Sequence, residues 1–101
     1  MNKQKTGKEE ALEALRRYKR EFEEQYGVTD IGIFGSIARG EGKPGSDLDV
    51  VVKMKKPDLY YMVHIKEKLE ETLHTHVDII HYREKMNTFL KKRINREAVY
   101  A

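Results

Sequence analysis

Residues 31–52 read IGIFGSIARGEGKPGSDLDVVV, and most of the fold can be argued outward from them. An apolar run stops abruptly at Gly35, a small and polar segment follows, and a second apolar run resumes at Val50 directly behind two aspartates. The β-branched and aromatic content predicts a strand over Val28–Phe34 and another over Asp47–Lys53, with a strand-to-helix turn at Gly35-Ser36. A glycine at such a turn lets a phosphate come close to the backbone, and the N–H groups that open the next helix point at an incoming anion. Ser36 can add a hydroxyl donor. The same pair also serves as an ordinary turn with a serine cap, so it does not by itself identify a site.

Asp47 and Asp49 add chemistry to that turn. Side chains alternate along a strand, so the two carboxylates project one way while Leu48 turns into the core. Like charges this close repel unless one is protonated or a cation lies between them. Mg²⁺ suits such a pair, because it binds through one or two carboxylates and completes its shell with water and substrate phosphates. The alternative is that Asp47 merely closes the turn after Gly45-Ser46. A third carboxylate, Asp78, interrupts the apolar run HVDIIHY, where an unpartnered charge is costly. A metal shared with Asp47 and Asp49 would be its partner, and so would an arginine such as Arg39.

Around this centre the spacing of Leu12, Leu15, Tyr18, Phe22 and Tyr26 predicts an amphipathic helix over Lys8–Tyr26, ended by Gly27. A helix over Asp58–Leu73, capped by Asp58, places Leu59, Met62, Val63, Leu69 and Leu73 on one side. His76–Tyr82 reads as a third strand, and Arg83–Val99 as a last helix with Met86, Phe89, Leu90, Ile94 and Ala98 on its apolar stripe. Helices alternate with strands, so the expected class is α/β (α+β), a small mixed sheet of three or four strands flanked by helices. Residues 1–7 read as a disordered tail and 8–101 as one domain.

Composition narrows the setting. A chain of 101 residues holds one core and no second folded unit. Cysteine is absent, which excludes disulfides and thiolate metal sites and fits a reducing cytoplasm. The polar start MNKQKTGKEE is unlike a signal peptide, and no run approaches the roughly 20 apolar residues of a membrane span. Charged residues make up 37% of the chain but nearly cancel to +3, so the surface is mixed and a nucleic-acid role ranks last. The basic cluster Lys91–Arg96 has an ordinary explanation in the helix dipole. His64, His74, His76 and His81 show no metal-ligand spacing and read as solvated or core residues.

Gly35-Ser36, ten further residues and Asp47-Leu48-Asp49 together form the Gly-Ser-x10-Asp-x-Asp signature, and the chain thereby resembles the DNA polymerase beta-like nucleotidyltransferase superfamily. FGSIARGEGKPGSDLDVVV, the short length and the closing INREAVYA are similar to its minimal nucleotidyltransferase (MNT) domains. The resemblance implies that Gly35 and Ser36 hold the triphosphate of ATP, that Asp47 and Asp49 bind two Mg²⁺ ions, and that Asp78 binds one of them and helps deprotonate the attacking hydroxyl. Arg39 would steady phosphate or brace the acidic loop through Glu41. It further implies an antitoxin that transfers AMP to a tyrosine of a small helical HEPN ribonuclease toxin. A docking module that neutralises its partner without catalysis is the alternative.

Overall fold

The computed structural model describes residues 6–101. Its elements run α1 (Lys8–Tyr26), β1 (Val28–Phe34), α2 (Gly35–Ala38), β2 (Leu48–Met54), α3 (Leu59–Leu73), β3 (Val77–His81), α4 (Thr88–Glu97) and β4 (Val99–Tyr100). The strands form one mixed sheet in the order β3-β2-β1-β4. β1 lies antiparallel to β2 and to β4, while β2 and β3 run parallel. Among the described residues no helix is long and apolar enough to cross a membrane.

Strand alternation sorts the sheet into two faces. Ile31, Ile33, Leu48, Val50, Val52 and Val77 pack under α1 and α3, which contribute Leu12, Leu15, Phe22, Ile65, Leu69 and Leu73. The opposite face is narrower: Phe34 and Val51 meet Ile94 of α4, with Ile80, Tyr82, Met86 and Leu90 around them. Residues in phase with Val51 and Ile80 therefore face the α4 side, and these include Asp49 and Asp78.

Three sequence expectations shift. In α3 the inward face is Ile65, Leu69 and Leu73, whereas Leu59 is 78% and Val63 48% exposed. Helical geometry accounts for this, because at about 100° per residue Val63 lies about 160° around the axis from Ile65. Asp58 does cap the helix, accepting from the Tyr60 and Tyr61 N–H groups at 2.8 and 3.2 Å. The last helix starts at Thr88 rather than Arg83, because the Asn87 side chain caps it by accepting from the Leu90 N–H at 3.0 Å. It leaves Phe89 exposed and gives up Val99 to the short fourth strand. Asp47 precedes β2 instead of opening it. The expected tail lies mostly outside the described residues; of its described part, Thr6 is buried with its hydroxyl against that of Thr75.

The fourth strand depends on Gly32, which pairs with Tyr100. A β-carbon there would lie 2.7 Å from the Val99 carbonyl oxygen and 3.0 Å from Tyr100 Cα. Both are backbone atoms, which cannot rotate away. Gly32→Ala is expected to cost about 1–3 kcal/mol in urea unfolding, typical of an overpacked site. The Ala101 N–H, which donates to the Ile31 carbonyl at 2.9 Å, should exchange faster in the variant. Unchanged stability and exchange would show that β4 does not press on Gly32.

Candidate active site

The centre of the site is Asp49, placed by pairing on both sides. Its backbone lies opposite Phe34 of β1 and opposite Asp78 of β3. Gly35 follows Phe34 directly and has φ +82°, a left-handed conformation that disfavours any side chain. A β-carbon on Gly35 would also lie far inside van der Waals contact distance of Asp49 Oδ2. Glycine is thus required twice over, for its dihedral and for the carboxylate packed against it. Burial pushes the Asp49 carboxyl above its ordinary range; the Arg93 guanidinium opposes this, and the charges of Asp78 and Asp47 add to it.

Asp47 and Asp78 form the outer part, joined by a residue to which the sequence assigned no role. Asp47, His76 and Asp78 are exposed, and one ligand atom from each lies within 4.8 Å of the others. His76 Nε2 is 3.7 Å from Asp78 Oδ1, and Nδ1 is 3.1 Å from Glu70 Oε2. The same Glu70 oxygen accepts the Val77 N–H at 2.9 Å. His76 is therefore held between two acids. Its ligand-like placement has no local spacing signature, because it arises from the crossing of the turn before β2 with the start of β3. The other histidines follow the sequence reading more closely: His64 packs on Tyr26 and Tyr60, and His81 is buried, with its pKa lowered by burial and by Arg83.

A third group closes the site from the α4 side. Glu97 Oε1 accepts the Gly35 N–H at 3.1 Å and Arg39 Nη1 at 2.9 Å, and Arg93 Nε lies 3.5 Å away. Burial raises the Glu97 pKa, but these three donors outweigh it and the carboxyl ends below its ordinary range. Arg39 also donates to Glu41 at 3.1 Å, so of the roles open to it the bracing one is seen, and no pairing with Asp78. Arg93, whose guanidinium lies 5.6 Å from the Phe34 ring centre, was passed over as part of a basic helix end. Its one sequence signal is the Glu97 four residues further along the helix. Ser36 is half-buried on the first turn of α2.

Two exposed carboxylates and an imidazole make a donor set suited to a divalent cation; Asp49, expected from the sequence to share it, is not in that group but lies half-buried in register with Asp78. An aspartate packs on a glycine turn, with a second carboxylate in register on the neighbouring parallel strand, as the Gly-Ser-x10-Asp-x-Asp resemblance implies for an α/β nucleotidyl-transfer domain. The chain belongs to the nucleotidyltransferase domain family, whose model matches residues 15–101. It is 37% identical over 93 residues to the protein adenylyltransferase MntA of Thermococcus cleftensis, covering 91% of this chain and 93% of that one. Among solved structures it is similar to a toxin-antitoxin complex with AMP-PNP (TM-score 0.73, 21% identity, 87% of this chain and 69% of the other). It is also similar to tri-AMPylated Shewanella oneidensis HEPN toxin in complex with MNT antitoxin (TM-score 0.65, 17% identity, 89% of this chain and 70% of the other). The expected fold and family are borne out.

The raised pKa of Asp49 has a consequence for stability. The folded state holds the proton more tightly than the unfolded chain, so ionising Asp49 destabilises the fold, and stability falls as pH rises through the raised value. Asp49→Asn removes the charge at nearly constant shape. The variant should melt higher than the native protein at about pH 7 and lose that advantage at about pH 3, where the native carboxyl is also protonated. Thermal melts at the two pH values decide it. A variant less stable than native protein at neutral pH would mean that the attraction of Arg93 outweighs burial.

Proposed function

We propose that this protein is a nucleotidyltransferase that moves AMP from ATP to a tyrosine hydroxyl of a HEPN ribonuclease toxin, acting as the antitoxin of the pair. The observation that carries the reading is the junction of Asp49 with Gly35 and with Asp78 in the next strand, in a family whose relative MntA is a protein adenylyltransferase. Similar folds stand beside a tri-AMPylated HEPN toxin and in a complex with AMP-PNP. A cytoplasmic setting accords with ATP as donor and with a cysteine-free chain.

In the proposed reaction Gly35 and Ser36 receive the triphosphate, the glycine by leaving the backbone open and the serine by donating its hydroxyl. Asp47, Asp49 and Asp78 would hold Mg²⁺, two ions in this reading, and the metal would supply the positive charge that stabilises the entering and leaving oxygens of the transfer. Asp78, exposed at the sheet edge, takes the proton of the tyrosine hydroxyl. The tyrosine oxygen bonds to the α-phosphorus, the bond to the β-phosphate oxygen breaks, and pyrophosphate leaves. Arg39 and Arg93 lie beside the glycine turn and offset the growing negative charge there.

A docking role has an observation of its own. Leu59, Tyr60, Val63 and Phe89 are exposed, and a protein partner would cover them. The basic helix end gives less to a nucleic-acid reading: Lys91 is paired with Glu84 and Arg93 with Glu97.

Catalysis and docking separate on stoichiometry. Incubating a HEPN toxin with substoichiometric protein, ATP and Mg²⁺ should add AMP to most toxin molecules, read by intact mass. Asp47→Asn and Asp49→Asn should lower the rate at least about 100-fold, and Ser36→Ala about 10-fold or less because backbone donors remain. Protection limited to one toxin per antitoxin, with no mass change, would leave docking as the function.

A further inference from the structure

Resting on that reading, we infer that His76 is a nitrogen ligand of the metal bound at Asp47 and Asp78, oriented for this task by Glu70. The nucleotidyl-transfer chemistry needs only oxygen donors, so the imidazole is a feature of this chain that the reaction does not explain.

Geometry argues for it from both ring nitrogens. Nδ1 lies 3.1 Å from Glu70 Oε2, in close contact with a carboxylate that is itself fixed by the Val77 N–H at 2.9 Å. The carboxylate beside Nδ1 favours a proton on that nitrogen, which leaves the lone pair on Nε2, the nitrogen turned toward Asp78. Metal-bound histidines characteristically give their second N–H to such a carboxylate, which sets the tautomer and makes the ligating nitrogen more basic. On the other side, Nε2 stands 3.7 Å from Asp78 Oδ1. That is long for a hydrogen bond. Donors at about 2.1 Å in an octahedron lie about 3.0 Å apart when cis and about 4.2 Å when trans, so the two atoms need shift by less than about 1 Å to share one ion. Asp47 offers a carboxylate oxygen within 4.8 Å of both. All three groups are exposed, so an ion reaches them without opening the fold.

The donor set sets a preference. Mg²⁺ favours an all-oxygen shell, whereas Mn²⁺ and the later divalent ions accept imidazole readily. A mixed shell of two carboxylates and one imidazole should therefore hold Mn²⁺ more tightly than Mg²⁺, and the margin should depend on His76.

Mn²⁺ alone, added to the full chain, tests this by pulsed electron paramagnetic resonance. Coupling of the Mn²⁺ spin to a nitrogen nucleus is expected in the native protein and absent in His76→Ala, whose exposed position spares the fold. Glu70→Gln keeps the shape around Val77 and should weaken Mn²⁺ binding about 10- to 100-fold in calorimetry, the usual effect of losing a partner behind a ligating histidine. Bound Mn²⁺ without nitrogen coupling, or coupling that survives in His76→Ala, overturns the assignment. AMP transfer with Mg²⁺ in the same native protein reports separately on the proposed function, so either result for His76 leaves that reading to stand or fall by itself.

Discussion

A carboxylate that resists ionisation is locked in place by strands on either side. Asp49 cannot withdraw into solvent, because its backbone is paired with Phe34 and Asp78, and it cannot move inward, because Val50 and Leu48 commit the strand to the core beneath. The parallel pairing of β2 with β3 puts a second carboxylate beside it, and the left-handed Gly35 clears the space it occupies. Each arrangement is unfavourable alone. Together they keep negative charge concentrated on one edge of the sheet, where a divalent cation relieves it. The rigidity that maintains this concentration comes from the opposite face, where α1 and α3 bury the larger core.

The α4 face does the balancing. Glu97 gathers the Gly35 N–H, Arg39 and Arg93 on one oxygen, joining the glycine turn to the last helix. Arg93 stands between this hub and Asp49, lowering the pKa of both carboxyls. The positive charge that offsets the acidic edge is thus delivered by a helix far along the chain. Its position in turn depends on Ile94 seated against Phe34 and Val51.

These two layers differ in how far they could be read in advance. Strand β1, helix α1 and its glycine end were legible to the residue, because period and punctuation agree there. Asp49 and Asp78 stood out because a carboxylate inside an apolar strand violates the pattern around it, and the structure sets the two in register on neighbouring strands. His76 did not, since an imidazole next to a strand violates nothing and its neighbours come from a distant turn and a helix end. Arg93 was hidden for a related reason: one arginine among Lys91, Lys92 and Arg96 has no distinguishing context until the helix is docked. The start of α4 was misjudged because Met86 continues the apolar spacing, while the Asn87 cap cuts the helix one residue later.

The split between a half-buried Asp49 and an exposed Asp47, His76 and Asp78 bears on what the site can accept. A carboxylate enclosed by the fold has a fixed environment whatever binds outside, which suits a group that must keep a metal and a triphosphate in register. Exposed side chains at a sheet edge leave one side of the site open. A small free hydroxyl compound would gain little orientation from such an edge. A folded partner brings its own rigid surface, and by covering the edge it excludes the water that would otherwise compete for the α-phosphorus. On the proposed reading of transfer to a protein, the acceptor supplies the wall that this edge leaves open.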